Sequence, residues 1–416
     1  MDGSFPVQWA RQQFPALARA GRFVFFDNAA GAQVPADVFT AMHDHLLEHM
    51  VQRGGRYPQS RAVDEMLVRA REAVASLLNA RAPGEIAFGL NATSFIRQVS
   101  LAIGQSLGPR REIILTDLDH ESNIATWKAL DGAGASFATW RMREDGLLHV
   151  EDLAPLLSER TRLVACPVAA NSLGSLIDVR GVADLAHAAG AEVFLDCVHY
   201  GPHGPIDVQA FDCDYLVCSG YKIFGPHMGF LWGRYELLQK LPFFREDFIP
   251  DEPPGKIEAG TVCYENIAGM EAAIGYLERL GRELHPDRSG QPPHSRRAVL
   301  VRAMNAILEY ERGLSAGLLE VLEDCGARIH GIADRARLSQ RVPTICFNLE
   351  RCSPASLTGD MARAGFGIRD GHMYSPRVMQ RLGLPLESGT VRVSLVHYNT
   401  REEIQRFGEA LRTAAR

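Results

Sequence analysis

From about residue 63 onward, two hydrophobic periods alternate along the chain. Segments with apolar positions three and four apart, such as VDEMLVRAREAVASLLNA, SFIRQVSLAIGQSL and VRGVADLAHAAG, predict amphipathic helices. Between them lie short, almost wholly apolar runs bounded by turn residues: EIAFGL, EIILTDL, RLVACPVAA, EVFLDCVHY, YLVCSGYKIF and GFLWGR. A strand with one face in water alternates apolar with polar residues. These runs do not, so they predict strands covered by helices on both faces. The implied architecture is an α/β domain built on a mostly parallel sheet.

The clearest break in the pattern is ELHPDRSGQPPHSR, rich in Pro, Gly and charge, and it predicts a linker over residues 284–297. Beyond it come one long helical stretch, RAVLVRAMNAILEYERGLSAGLLEVLEDCG, strands around VPTICFNLE and VRVSLVHYN, and a last helix. That helix opens on Thr400 with Glu403 three residues on, a pair able to satisfy two unbonded amides at the helix start. The reading is an N-terminal segment over 1–60, a large α/β domain over 61–283, and a smaller α+β domain over 298–416. A length of 416 residues suits this division at roughly 150 residues per domain.

Charge and composition remove several function classes. Lys and Arg number 44 against 50 Asp and Glu, a net charge of −6, and no basic run is long enough to track a phosphate backbone, so nucleic acid is not expected as a partner. No apolar run approaches the roughly 18 residues of a spanning helix, and the first residues lack a basic segment followed by an apolar one. The expectation is a cytoplasmic protein with no membrane contact. The 8 cysteines show no two-residue spacing and mostly lie within apolar runs, which reads as buried free thiols and not as a metal site.

Candidate chemistry gathers at strand ends, where ligands of open α/β sheets bind. Asp196 ends one apolar run, Ser219-Gly220-Tyr221-Lys222 ends another, and Asn91-Ala92-Thr93-Ser94 turns from a strand into a helix. A carboxylate beside a pyridine nitrogen, a lysine that condenses with an aldehyde, and helix-start amides of Ala92 and Thr93 for a phosphate, with the Thr93 and Ser219 hydroxyls, meet the needs of pyridoxal 5'-phosphate. Taken singly, each has a plainer reading as a loop cap, a solvated lysine or an N-cap, within a Rossmann-like or purely structural sheet.

Longer segments resolve this. SGYKIFGPHMGFLWGR resembles the lysine segment of the class V aminotransferase superfamily, in particular its cysteine desulfurase and selenocysteine lyase branch. FFDNAAGAQVP, LTDLDHESNIATW, AANSLGSLIDV, EAGTVCYENIAG and RVSLVHYNTREE resemble further segments of that branch in order, over roughly residues 20–410. The resemblance implies a pyridoxal-phosphate-dependent enzyme of the aspartate aminotransferase-like fold (fold type I), acting on an amino acid as a homodimer. It implies that Lys222 carries the cofactor, Asp196 pairs with the ring nitrogen and His120 stacks on the ring. Thr93, Ser219 and, from the other subunit, Thr261 would bind the phosphate, and Asn171 would sit near the ring hydroxyl. Arg392 would clamp the substrate carboxylate, with Arg369 and Arg56 as further substrate-facing candidates.

Departures from the pattern concern what leaves the substrate. Where desulfurases carry Gly-His-His-Cys, this chain has Gly371-His372-Met373-Tyr374, and a phenol cannot accept sulfur as a persulfide. His199 replaces an expected glutamine near the ring hydroxyl, Tyr221 replaces the histidine before the lysine, and Arg56 replaces a loop histidine. The implied activity is a C–S or C–Se β-lyase on a cysteine-derived substrate, with Tyr374 or Tyr221 as candidate proton donors. A class V aminotransferase, an epimerase, or a catalytically silent binding partner are the alternatives.

Overall fold

The computed structural model describes residues 5–258, 260–284 and 295–414. Thirteen strands occur among them: β1 (Val24–Phe25), β2 (Ile86–Gly89), β3 (Glu112–Thr116), β4 (Ser136–Trp140), β5 (Thr161–Pro167), β6 (Glu192–Asp196), β7 (Tyr215–Ser219), β8 (Gly229–Gly233), β9 (Arg328–His330), β10 (Thr344–Asn348), β11 (Phe366–Gly367), β12 (Arg369–Gly371) and β13 (Thr390–Ser394). Seven form one sheet in the order β2-β8-β7-β6-β5-β3-β4. β8 runs antiparallel to β2 and β7 on either side of it, and every other pair in the sheet is parallel.

The six apolar runs became β2, β3, β5, β6, β7 and β8. Central strands such as β7, YLVCS, are buried at every position because helices cover both faces. The sequence pattern missed β4, SFATW, which is an edge strand and largely half-exposed, so it carries neither a continuous apolar run nor a clean alternation. Helices Pro58–Leu78, Ala92–Gln105 and Val179–Ala188 lie where the helical period places them.

Residues 285–294, most of the stretch read as a linker, lie outside the described residues. After them runs the 29-residue helix Arg296–Asp324, and then a second sheet in the order β12-β13-β10-β9. The last helix, Arg401–Ala414, starts as its sequence predicts. The Glu403 amide donates to Thr400 Oγ1 at 3.2 Å, and the Thr400 amide donates to Glu403 Oε2 at 3.1 Å.

Two features tie the second sheet to the rest of the chain. The N-terminal strand β1 pairs in parallel with β11, and the Ser394 amide at the end of β13 donates to Phe26 O at 2.7 Å. Gly174, held at φ +75°, lets the loop after β5 approach Thr344 so closely that a Cβ would lie 2.4 Å from the Thr344 carbonyl oxygen. The buried Arg341 guanidinium then donates to the carbonyls of Thr344 and Leu173, fixing that loop against β10.

Candidate active site

The C-terminal ends of the parallel strands open into one cavity of about 360 Å³, and Ala92, Thr93, His120, Asn171, Asp196, His199, Ser219, Tyr221 and Lys222 all line it. At one end, Asn91 caps the helix Ala92–Gln105 by accepting from the Ser94 amide at 2.9 Å. The amides of Ala92 and Thr93 have no acceptor within the helix and remain for a ligand. Gly229 of β8 permits this turn, since a Cβ there would lie 2.5 Å from the Asn91 carbonyl carbon.

Asp196 ends β6 and accepts from the Val198 amide at 2.9 Å. Burial raises its pKa, against the opposing pull of that amide and of Lys222. A cationic partner in the cavity would restore the carboxylate. Lys222 follows β7 in a single turn of tight helix and is buried. Desolvation chiefly, with Arg392 assisting, lowers its pKa to about 8, while Asp196 and Asp27 pull upward. Near pH 8 about half of such an amine is neutral and nucleophilic. His120 is lowered to about 4 by burial and by the charges of Lys222 and Arg392, so its ring is neutral at pH 7. Its Nδ1 accepts from the Ser122 amide at 3.1 Å, which assigns the ring proton to Nε2.

Arg392 of β13 reaches the site from the second sheet and is 2% exposed. One guanidinium nitrogen donates to the Asn171 carbonyl at 2.9 Å and another pairs with Asp27 Oδ1 at 3.1 Å, while Nε is buried with no partner. The other Asp27 oxygen pairs with Arg369 at 2.9 Å. The Asn171 side chain is itself engaged, donating to Met373 O at 2.7 Å and accepting from the Ser375 hydroxyl at 3.0 Å. It therefore fixes the loop that carries Tyr374. That loop has Met373 and Tyr374 at φ +53° and +58°, and its Tyr374 ring, 53% exposed, lies 5.6 Å from the His120 ring. Tyr221 stacks on His227 at 5.0 Å, and burial raises its pKa, which makes its phenol hold the proton more firmly.

Two expected residues lie elsewhere in this chain. Thr261 accepts from Gln52 at 3.1 Å along a second hollow of about 520 Å³, which also takes in Leu90 and Cys263, and Arg56 is exposed on the turn before helix Pro58–Leu78. Two residues were missed by the sequence reading. Asp27, within a quoted motif, joins two arginines. Asp119 is fully buried, accepts from Asn123 at 2.8 Å and from Thr116, and so holds the turn that presents His120. The spacing Asp119-x-x-x-Asn123 was the available signal.

The donor set fits pyridoxal phosphate: an amine for the aldehyde, a carboxyl for the ring nitrogen, helix-start amides and hydroxyls for the phosphate. A further sign is His199, buried on the cavity wall with both ring nitrogens lacking a protein partner. Fold and site together are those of an α/β enzyme working through that cofactor. The family described as Aminotransferase class-V matches residues 24–291 and 299–407, and the chain belongs to it and is a pyridoxal-phosphate-dependent enzyme. It is 34% identical to an aminotransferase-like protein, FGM3, of Gibberella zeae, over 99% of this chain and 98% of that one. It is 32% identical to a cysteine desulfurase of Pectobacterium atrosepticum over 97% of each. Among solved structures, the cysteine desulfurase CsdA of Escherichia coli superposes with a TM-score of 0.81 at 26% identity, covering 99% of this chain and 98% of the other. The apo cysteine desulfurase of Thermococcus onnurineus NA1 shares the fold with a TM-score of 0.86, covering 98% of both chains.

The electrostatics of Lys222 predict how it reacts. Cofactor coupled by borohydride to apoprotein, located by peptide mass spectrometry, should appear on Lys222 with a rate midpoint near pH 8, and Lys222→Ala should show none. Asp27→Asn removes an upward pull and should move the midpoint lower. A midpoint near the ordinary value of 10.5, or coupling to another lysine, would contradict the assignment.

Proposed function

We propose that the enzyme is a β-lyase that cleaves a C–S or C–Se bond in a cysteine-derived amino acid without a persulfide thiol. The observation that carries the reading is the loop over residues 371–375, which holds a phenol beside His120 where the desulfurase resemblance expects a thiol. When bound, pyridoxal phosphate draws electron density from the α-carbon of an amino acid joined to it, so that bonds there break heterolytically. Lys222 would carry the cofactor and is the amine placed to move a proton at the α-carbon. Asp196 would keep the ring nitrogen protonated, and His120, neutral, would lie against the ring without adding charge. Thr93, Ser219 and the amides of Ala92 and Thr93 would hold the phosphate. Asn171 and Asp27 engage two of the five N–H donors of Arg392, and the remaining ones would serve the substrate carboxylate, with Arg369 as a second cation on Asp27.

A leaving group that departs with its own electron pair, such as selenide or the thiolate of a cysteine S-conjugate, needs no thiol. The cysteines lie unfavourably for one. Cys352 donates to Ala414 O at 3.5 Å in the second domain, and burial raises Cys197 well above an ordinary thiol. Cys263 is exposed but stands beside the second hollow, and burial raises it to about 11. The alternative, transamination, is favoured by the likeness to the aminotransferase-like protein of Gibberella zeae.

With L-cysteine, little alanine and no protein-bound persulfide should form, because losing a covalent nucleophile lowers turnover on the order of 10⁴-fold or more. Tyr374→Cys should gain alanine production. Mass spectrometry checks both, and rapid stoichiometric persulfide on any native cysteine, Cys263 included, would overturn the reading.

We further propose a homodimer that brings Thr261 and Arg56 to the partner's cavity. Leu47, Met50 and Leu90, each more than two-thirds exposed, supply an apolar face beside the Thr261 hollow. Sedimentation velocity of the loaded protein should give a species near twice 45.8 kDa. A monomer that retains full cofactor occupancy at low concentration would refute it.

A further inference from the structure

Behind the cavity lies a cluster of titratable side chains that the proposed chemistry does not use. His199 forms part of the cavity wall, and the ring of His203 stands edge-on to it, with centroids 5.4 Å apart and planes at 73°. His203 Nδ1 is 2.7 Å from Glu311 Oε2, on the long helix Arg296–Asp324 of the second domain. His203 is 2% exposed and Glu311 1%, so the pair is sealed from water.

The surroundings decide how the proton is held. Among the described residues Glu311 makes no ion pair with Lys or Arg. Arg312, next to it on the helix, donates through one nitrogen to Glu309 and leaves Nε without a partner, and the backbone amide of His397 is what opposes the effect of burial on Glu311. On the side of the second sheet lies His397, a neutral imidazole pushed down to about 3 by burial, whose Nε2 pairs with the Tyr276 hydroxyl at 2.6 Å. Burial raises the Glu311 carboxyl well above its ordinary value and lowers His203 to about 3. One proton therefore sits on the carboxyl and is donated to the imidazole.

The two partners feel the cavity unequally. The positive charge of Lys222 acts on His203 and on His199, and Arg392 acts on His199, whereas Glu311 stands behind His203 as seen from the cavity wall. The pair is thus aligned with its imidazole toward the cavity and its carboxyl away from it. Burial chiefly, with the charge of Lys222 assisting, holds the imidazole neutral. A phosphate dianion and a phenolic oxygen delivered to the cavity offset that charge and favour positive charge at the near end of the pair.

We propose that His203 and Glu311 form a proton-sharing switch behind the cavity: when pyridoxal phosphate binds, the proton leaves Glu311 Oε2 and passes to His203 Nδ1. The O–H bond breaks, the N–H bond forms, and no proton is gained or lost by the protein. The result is an internal ion pair with its cation toward the cofactor, which places His203 and Glu311 as positioning residues acting through His199. It also ties cofactor binding to the second domain, because Glu311 belongs to that domain's longest helix.

The test is infrared difference spectroscopy of apoprotein and of protein reloaded with pyridoxal phosphate. Wild type should lose a protonated-carboxyl band on loading, and Glu311→Gln should lack that band in both states. Asp196 and Asp119, also raised by burial, contribute bands common to the two proteins and cancel in the comparison. Independently of whether the Glu311 variant folds, nitrogen resonances of histidine-labelled wild type should show one ring acquiring a second proton on loading, a signal absent from His203→Asn. A Glu311 band that survives loading, or that is missing beforehand, overturns the switch. Wild type that never develops visible absorbance with the cofactor refutes the cofactor assignment instead.

Discussion

Lys222, Arg392 and Arg369 bring three cationic side chains to one region of the protein, and such a concentration in a poorly solvated setting is unfavourable unless an anion is shared among them. Asp27 is that anion. One of its oxygens pairs with Arg392 at 3.1 Å and the other with Arg369 at 2.9 Å, and its charge also draws the Lys222 pKa upward. Because Asp27 follows β1, which pairs with β11, the same contact joins the N-terminal segment to the second sheet at the mouth of the cavity. Removing one partner leaves uncompensated charge, so sheet, segment and site are held as a unit.

From that constraint follows the division of labour in the cavity. The parallel sheet delivers Asp196, Lys222 and the start of helix Ala92–Gln105 to one level, and the second sheet delivers Arg392 across from them. Asn171 links the two, its backbone carbonyl accepting from Arg392 and its side chain holding the Tyr374 loop. A substrate carboxylate drawn to Arg392 is thereby brought to the side of the cavity where the loop stands. On the proposed reading, the residue at 374 would meet whatever projects beyond the α-carbon and so bear on which bond is cleaved.

Most of the fold was legible in the sequence because the buried parallel strands read as continuous apolar runs and the helices keep a strict period. Edge strand β4 and the two-residue strands β1 and β11 were not, since short or half-exposed strands carry too few positions to establish a period. In the site, Lys222 and Asp196 were legible from their place at strand ends. Asp27 was invisible as a functional residue because its importance arises from arginines 342 and 365 positions away. Asp119 and the His203–Glu311 pair were invisible for the same reason: a buried carboxyl resembles a surface one until its partners are known.

The proposed chemistry requires this cavity to activate the α-carbon of an amino acid held by its carboxylate. The most direct measurement is hydrogen exchange at that carbon: a panel of amino acids, each also offered as its decarboxylated amine, is incubated with the loaded enzyme in deuterated water and recovered for mass analysis. At least one cysteine-like amino acid should gain a single deuterium or be consumed, its amine counterpart should do neither, and Arg392→Ala should reduce the difference. Exchange that is equal for acids and amines, or absent for every amino acid on a fully loaded enzyme, would contradict it.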